Sequence, residues 1–247
     1  MAVFGVAAHR PPLVLQAQHR PSICDSCGVR ASNVCDALGY DDLHRLAAVA
    51  RVVEVAAGRT FIVEGDPADS FFNLTDGTVK LYKLMADGRR QITGFLRKGD
   101  FLGLAVSSGY AFSAAAINDV RYCRYSRGGL RGVLDDFPAL EKRLMEVASN
   151  ELVEAQEQML LLGRKTAKER VASFLLAQSR RTVGYAARNP TLTLPMPRGD
   201  IADYLGLAIE TVSRIFTQLK HDQVIAIPTI ETVIIFDHAG LLECAGS

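Results

Sequence analysis

The stretch RGDIADYLGLAIETVSRIFTQLKHD, residues 198–222, decides the fold of the C-terminal region. Ala202, Gly206 and Val212 have the spacing of two helices joined by a tight turn. Ala202 is small enough for the helices to cross closely, Gly206 can adopt the positive φ of the turn, and Val212 anchors the second helix. The pattern predicts a helix-turn-helix. The apolar segments VIAI and TVIIFD that follow it, on either side of PTIE, predict a β-hairpin wing.

The second helix of the motif has an apolar face and a polar face. We predict that its buried face consists of Ile209, Val212, Phe216 and Leu219. An arginine on the opposite face can donate two hydrogen bonds to guanine, and a glutamate can accept one from cytosine. The alternative is a solvated helix with an ordinary Glu–Arg pair. The predicted DNA-binding residues are Glu210, Thr211, Ser213, Arg214, Thr217 and Arg198; Lys168, Arg188 and Lys220 are further candidates for phosphate contacts.

The charge distribution supports a polyanionic partner. The net charge of the 247 residues is only +1. Residues 164–223 nevertheless carry ten Lys and Arg against five Asp and Glu, whereas residues 135–157 carry two against seven. A basic region that contains a helix-turn-helix favours DNA binding.

Three functional classes are disfavoured by the sequence. No apolar run approaches the ~18 residues of a membrane helix, and His9, Arg10 and two prolines interrupt any secretory region at the N-terminus. No Ser/His/Asp set, Walker loop or paired-carboxylate site stands out. We therefore predict a cytoplasmic protein that is not an enzyme and has no membrane partner.

The middle of the chain changes from strands to one long helix. Residues 53–126 contain short apolar runs separated by glycines, which predicts an antiparallel roll or barrel and an α+β fold. Residues 137–162 contain no glycine and carry a narrow apolar stripe with helical spacing. Such a stripe favours pairing with a second copy, although a helix packed only on its own domain is the alternative. The predicted dimerisation residues are Leu144, Ala148, Leu152, Ala155, Met159 and Leu162.

These patterns divide the chain into four predicted regions. Residues 1–40 form a cysteine-bearing segment, 41–134 a sensor roll, 135–163 a dimerisation helix and 164–247 a winged helix-turn-helix domain. The motif Thr166-Ala-Lys-Glu169 predicts a capping box at the start of the helix that follows Gly163.

Three cysteines lie close together in ICDSCGVRASNVC, residues 23–35. In a reducing compartment, Cys24, Cys27 and Cys35 favour a metal site or a redox sensor over structural disulfides. Thiolates select zinc, copper(I) or iron–sulfur clusters. A closed site needs a fourth ligand, and Cys123 in the strand DVRYCRYS is the candidate, because alternation turns it away from Val120 and Tyr122. Cys244 is interpreted as uninvolved.

A roll, a long helix and a winged helix-turn-helix together resemble the CRP/FNR family of bacterial transcription regulators. EGDPADSFFNLTDGTVKLYK and KGDFLGL are similar to the roll of that family, and Glu210-x-x-Ser213-Arg214 is similar to the recognition signature of its FNR branch. The resemblance implies a jelly roll of the cyclic-nucleotide-binding type, a homodimer, RNA polymerase as a partner and a palindrome of TTGAT half-sites. It also implies that Arg214 contacts guanine, Glu210 the opposing cytosine and Ser213 a neighbouring base.

The FNR branch also resembles this chain in the layout of its cysteines. The resemblance implies a 4Fe–4S cluster held by Cys24, Cys27, Cys35 and Cys123, oxygen as the signal and activity under anaerobic conditions. A cyclic nucleotide is not expected, because no Lys or Arg lies between Lys98 and Arg121 to bind its phosphate. Zinc, thiol oxidation and nitric oxide remain alternative signals, and an iron–sulfur electron-transfer protein is an alternative function.

Overall fold

The computed structural model describes residues 23–24, 27–104, 108–181 and 189–246. The N-terminal residues 1–22 and Arg188 lie outside this part of the chain. Within it, no helix is both long enough and apolar enough to cross a membrane.

The N-terminal half is a roll of two antiparallel four-stranded sheets. The first sheet has the order β1-β8-β3-β6 and the second β2-β7-β4-β5. Before the roll lie three 3-10 turns, Arg30–Ser32, Val34–Ala37 and Tyr40–Asp42, and helix α1, Leu43–Val49. The strands are β1 Ala50–Val55, β2 Thr60–Ile62, β3 Ser70–Asp76, β4 Thr78–Leu84, β5 Arg90–Arg97, β6 Phe101–Leu102, β7 Ser113–Ala116 and β8 Val120–Ser126.

The interior of the roll is filled with aromatic and aliphatic side chains. The ring centroids of Phe61 and Tyr122 are 5.1 Å apart, and those of Phe72 and Tyr122 are 5.3 Å apart. Tyr110 and Phe72 extend the same group at 6.2 Å. Close packing of this kind leaves the interior apolar, since the rings occupy the space between the sheets.

Two helices follow the roll, and the second is the longest in the chain. Helix α2 runs Arg127–Asp136 and α3 runs Pro138–Arg164, with Pro138 at its first turn, as predicted. Leu140 and Leu144 of α3 are buried against the roll of the same chain. Leu162 packs against the C-terminal core.

This packing corrects the predicted dimerisation stripe at its first residue. Leu144 is 6% exposed and packs in the buried cluster of the roll, so it offers almost no surface to a second copy. Ala148 is half-buried, whereas Leu152, Ala155 and Met159 are exposed. The exposed apolar surface of α3 therefore lies mainly beyond Ala148, where Val153 and Leu160 enlarge it, and Met145 is also exposed.

The C-terminal third is a winged helix-turn-helix. It contains α4 Ala167–Arg180, β9 Thr191–Thr193, α5 Arg198–Leu205, α6 Ile209–His221, β10 Ile225–Thr229, β11 Thr232–Ile235 and α7 His238–Cys244. Strands β10, β11 and β9 form the wing sheet in that order. The predicted capping box at the start of α4 is confirmed, because Thr166 and Glu169 satisfy each other's backbone N–H groups.

The roll and the C-terminal third pack against each other. Phe95 of β5 belongs to the C-terminal core, with its ring 5.3 Å from that of Tyr204. The buried Asp200 of α5 accepts hydrogen bonds from Lys80 Nζ at 2.7 Å and from Arg90 Nη2 at 2.6 Å. Strand β5 thus reaches the first helix of the helix-turn-helix.

Candidate DNA-reading surface and thiol site

Helix α6 is fixed by the turn that the sequence predicts. Gly206 ends α5 in the left-handed conformation at φ 62°. Ala202 is buried at the helix crossing, and Val212 is fully buried in the core. Ile215, Phe216 and Leu219 complete the buried face. The prediction for Ile209 is wrong, since that side chain is 45% exposed at the first turn of α6 and Ile215 occupies the fourth buried position.

The polar face of α6 is free to contact DNA. Glu210, Ser213, Arg214 and Thr217 are exposed, and Thr211 is half-buried beside them. The Thr217 hydroxyl donates to the Ser213 carbonyl, which holds that side chain against the helix. Within the described residues, no ion pair joins Glu210 to Arg214, so both are available to base edges.

Arg198 lies differently from the other predicted DNA-binding residues. Its guanidinium stacks on the Phe216 ring at 3.7 Å from the centroid, and its Nη1 is buried. Burial lowers the pKa of Arg198. The side chain thus packs α5 against α6.

The cysteines predicted as ligands converge on one place. Cys35 lies in the turn Val34–Ala37 and Cys123 lies in β8, and both belong to one buried cluster against which Cys24 packs. Cys123 faces away from Tyr122, which is in the roll interior, as the alternation predicts. Cys27 is half-buried and its N–H bonds the Cys24 carbonyl in a turn.

The cysteine side chains interact electrostatically with one another. Burial, followed by Cys24, Cys123 and Cys27, raises the pKa of Cys35 to about 12. Burial, followed by Cys24 and Cys27, raises the pKa of Cys123 to about 11. Both buried thiols are therefore protonated at neutral pH in the metal-free chain, and metal uptake would release their protons.

Two polar side chains that the sequence reasoning missed adjoin these sulfurs. The Tyr125 hydroxyl opposes the rise in the pKa of Cys35 and of Cys123, and the Asn73 amide donates from Nδ2 to Cys35 Sγ at 3.5 Å. Tyr125 stands two residues after Cys123 on the same strand face, a spacing that could have identified it. Asn73 gives no such signal, because only the pairing of β3 with β8 places it opposite Cys123.

The four cysteines are not arranged around a single ion. In the part of the chain that the structure describes, no group of three or more His, Cys, Asp or Glu side chains is placed to hold one metal ion. Each thiolate of a 4Fe–4S cluster binds a different iron, so the sulfurs stand further apart than around a single ion. A convergent, all-cysteine set with hydrogen-bond donors beside it fits a cluster.

The site also touches the long helix. The turn that carries Cys35 packs against α3, and Leu140 and Leu144 share the cluster with Cys35 and Cys123. Beyond this contact, the middle of α3 exposes Leu152 by 60% and Met159 by 65%. The thiol site therefore adjoins the helix that carries the exposed apolar surface.

The comparisons with known proteins agree with this geometry. Residues 169–244 match the Crp-like helix-turn-helix domain, and residues 52–137 match the cyclic nucleotide-binding domain. Over 216 residues, the chain is 42% identical to the nitrogen fixation regulation protein FixK of Bradyrhizobium diazoefficiens, covering 87% of this chain and 91% of that protein. The chain belongs to the CRP/FNR family.

Two further relatives extend the match over the family fold. The transcriptional activator protein FnrL of Cereibacter sphaeroides is 38% identical over 242 residues, covering 96% of this chain and 95% of FnrL. The structure of FixK2 from Bradyrhizobium japonicum has a TM-score of 0.75 at 35% identity, covering 81% of this chain and 98% of that chain. The predicted family and fold class are confirmed. The chain is a DNA-binding transcription regulator, and CRP/FNR regulators of this kind act as dimers.

Proposed function

We propose that this CRP/FNR regulator is a cytoplasmic homodimer that senses oxygen through a 4Fe–4S cluster held by Cys24, Cys27, Cys35 and Cys123. The observation that carries the proposal is the convergence of four cysteines from two distant parts of the chain. The donor set is soft, as iron–sulfur clusters require. When bound, the cluster supplies a redox centre that oxygen oxidises and degrades.

The residues around the cysteines connect the site to dimerisation. Ligation by Cys35 and Cys123 ties the turn Val34–Ala37 to β8 and presses it against α3. Release of that tie frees the turn and with it the start of α3. The two forms then differ in how they present the exposed stripe of Leu152, Ala155 and Met159, which is the differential interaction that a population shift needs.

The dimer presents two copies of α6 to DNA. Half-sites one helical turn apart, about 34 Å, would match the two-fold symmetry of such a dimer. We propose a TTGAT-type palindrome, in which Arg214 reads guanine and Glu210 reads cytosine. The relative FnrL is a transcriptional activator protein, which supports RNA polymerase as a partner.

A cyclic nucleotide is not part of this proposal. A buried phosphate needs cationic or backbone donors. Phe61, Phe72 and Tyr122 pack against one another in the roll interior, and the sequence between Lys98 and Arg121 contains no Lys or Arg. These features support a roll that transmits the state of the thiol site instead.

A bare thiol switch is less well supported than a cluster. Reactive cysteines have a lowered pKa. Burial raises the pKa of Cys35 to about 12 and that of Cys123 to about 11, so both thiols are poor nucleophiles without a metal.

The decisive experiment combines anaerobic purification with one cysteine variant. We expect about four iron and four sulfide per wild-type chain. After exposure to air we expect loss of the dimer and about a 1,000-fold weaker affinity for the palindrome. Cys123→Ser should bind no stable cluster and should behave like the air-treated protein. Cys244→Ser is the matched control, because Cys244 packs on the C-terminal core away from the site.

Two outcomes would contradict the proposal. A dimer mass and a DNA affinity that stay unchanged after cluster loss would remove the switch. Zinc in place of iron in the anaerobic protein would assign the site to a different signal.

A further inference from the structure

Tyr125 occupies a special position beside the cysteines. It is 1% exposed and lies on the same face of β8 as Cys123. Its hydroxyl opposes the rise in the pKa of both Cys123 and Cys35, so one side chain acts on the strand cysteine and on the turn cysteine. The rest of the ring packs among apolar side chains of the cluster that contains both thiols.

Asn73 approaches the same sulfurs from the neighbouring strand. It is 1% exposed, and the register of β3 with β8 places it directly opposite Cys123. Its Nδ2 donates to Cys35 Sγ at 3.5 Å, whereas its Oδ1 has no partner in the described part of the chain. A buried amide with one weak hydrogen bond and one orphaned oxygen gives the fold little stability, since each unsatisfied buried group costs about 1–3 kcal/mol.

Asn33 adds an unpartnered donor next to Cys35. Its Oδ1 accepts a hydrogen bond from the Cys35 N–H at 2.8 Å, which caps the turn. Its Nδ2 is buried and has no acceptor among the described residues. Buried donors in native proteins have partners, so an acceptor beyond the described residues is needed here. Sulfur atoms of a bound cluster would supply one.

We propose that Tyr125 and Asn73 are positioning residues that donate hydrogen bonds to the sulfurs of Cys35 and Cys123 and thereby set how long the cluster survives oxygen. This inference rests on the proposed function. Hydrogen bonds to cysteine sulfur are among the factors that set the reduction potential of a cluster. They withdraw electron density from the thiolates, which makes the cluster harder to oxidise. Hydrogen bonds to a charged sulfur are also stronger than hydrogen bonds to a neutral thiol, so these bonds become stronger when the cluster binds.

The test uses three substitutions that remove one polar group each. Tyr125→Phe deletes only the hydroxyl. Asn73→Leu replaces the amide with an apolar group of similar shape. Tyr122→Phe is the matched control, because Tyr122 lies on the same strand but faces the roll interior, away from the cysteines. Each protein is reconstituted anaerobically, assayed for iron and sulfide, and mixed with air-saturated buffer while the cluster absorbance is followed.

We expect the three variants to load the same iron as the wild type. Tyr125→Phe and Asn73→Leu should then lose absorbance about tenfold faster, the lower end of the effect typical of second-sphere substitutions, and should show a more negative reduction potential. Tyr122→Phe should decay at the wild-type rate. The melting temperature of metal-free Asn73→Leu should be unchanged or higher, because the orphaned oxygen is removed.

A merely structural role would give a different result. It would lower the melting temperature of the metal-free variants and their iron content, and it would leave the decay rate of the loaded fraction unchanged. If Asn73→Leu does not fold, Tyr125→Phe decides alone.

The outcomes separate this inference from the proposed function. A wild-type protein that takes up no iron would overturn both. A wild-type cluster that decays in air at the same rate as the clusters of Tyr125→Phe and Asn73→Leu would overturn this inference alone. Equal acceleration in Tyr122→Phe would also overturn it, since the effect would then not depend on contact with the sulfurs.

Discussion

The recognition helix and the thiol site are built in opposite ways. Helix α6 is one continuous segment, and its reading face is set by the turn at Gly206 and the buried Val212. The thiol site collects Cys35 from an irregular turn and Cys123 from a strand much later in the chain. Its order depends on the turn, the roll and α3 packing together.

Because of this difference, we expect substitutions at the two sites to have different effects. A surface substitution on α6 should change DNA binding and nothing else, because the exposed face contributes little to the core. A change at the thiol site should spread, because the same buried cluster holds Cys35, Cys123 and the start of α3. DNA reading is local, whereas the proposed sensing depends on several parts of the fold.

The largest expected effect tests the local side of this comparison. Arg214→Ala removes one predicted guanine contact per subunit, each worth about 1–3 kcal/mol. Two copies in a dimer should weaken binding to the palindrome by about 2–6 kcal/mol, or roughly 30-fold to 20,000-fold. Fluorescence anisotropy with palindromic and scrambled duplexes measures the change. Cluster content and dimer mass should stay at wild-type values.

Lys220→Ala is the matched control for Arg214→Ala. Lys220 is exposed near the end of the same helix and is a candidate for a phosphate contact. Its loss should weaken binding to both duplexes equally and reduce the salt dependence. A loss of discrimination by Lys220→Ala, or a loss of cluster in Arg214→Ala, would contradict the separation of reading from sensing.

The sequence predicted the helix-turn-helix better than the thiol site for a physical reason. Spacing within one helix pair encodes the crossing at Ala202 and the turn at Gly206, so the pattern is visible without tertiary structure. Ile209 was the exception, because the first turn of α6 projects beyond its neighbours and leaves that residue exposed.

The features of the thiol site and of α3 that the sequence did not predict depend on strand register and on domain packing. The candidate cysteines were recognisable from composition, but Asn73 reaches Cys35 only because β3 pairs with β8. The helical stripe on α3 was visible, yet nothing in its periodicity shows that the roll covers Leu144. Likewise, the link between Asp200 and Arg90 joins residues far apart in the chain.

An effect of intermediate size, on stability, is expected where the roll contacts the C-terminal domain. The Asp200 carboxylate is 4% exposed and pairs with Lys80 and Arg90, which are 17% and 30% exposed. Asp200→Asn leaves Lys80 facing a neutral amide, while Arg90 keeps its pair with Asp203. Water reaches them in part, so we expect the free energy of unfolding to fall by about 1–3 kcal/mol. Calorimetry should also show separate transitions for the roll and the C-terminal domain.

Asp87→Asn is the control for this interface. Asp87 pairs with Arg89 at the exposed tip of the β4–β5 hairpin and, within the described part of the chain, forms no ion pair with Lys80 or Arg90. Because this pair is exposed to solvent, its loss should leave the stability close to that of the wild type. A single transition in Asp200→Asn with wild-type stability would show that the halves are not coupled through Asp200.

The smallest expected effect concerns a carboxyl group on the helix that connects the two halves. Burial, followed by Glu154 and Asp100, raises the pKa of Glu151 from 4.5 to about 7. Between pH 4.5 and pH 7 the folded protein therefore holds a proton that the unfolded chain releases. The contribution of Glu151 to the free energy of unfolding falls as pH rises through this window and is flat above it. Glu151→Gln should abolish this slope.

Since solvent reaches Glu151 in part, the gain in Glu151→Gln above pH 7 should be on the order of 1 kcal/mol. Urea unfolding should be measured at half-unit steps from pH 5 to pH 8.5. The difference in the free energy of unfolding between Glu151→Gln and the wild type should grow up to about pH 7 and then stay constant. Glu157→Gln, on the exposed side of α3, should follow the wild-type profile. If the free energies of unfolding of the wild type and Glu151→Gln change in parallel with pH, then ionisation of Glu151 does not destabilise the fold. In that case α3 would connect the roll and the C-terminal domain without contributing to the pH dependence of stability through Glu151.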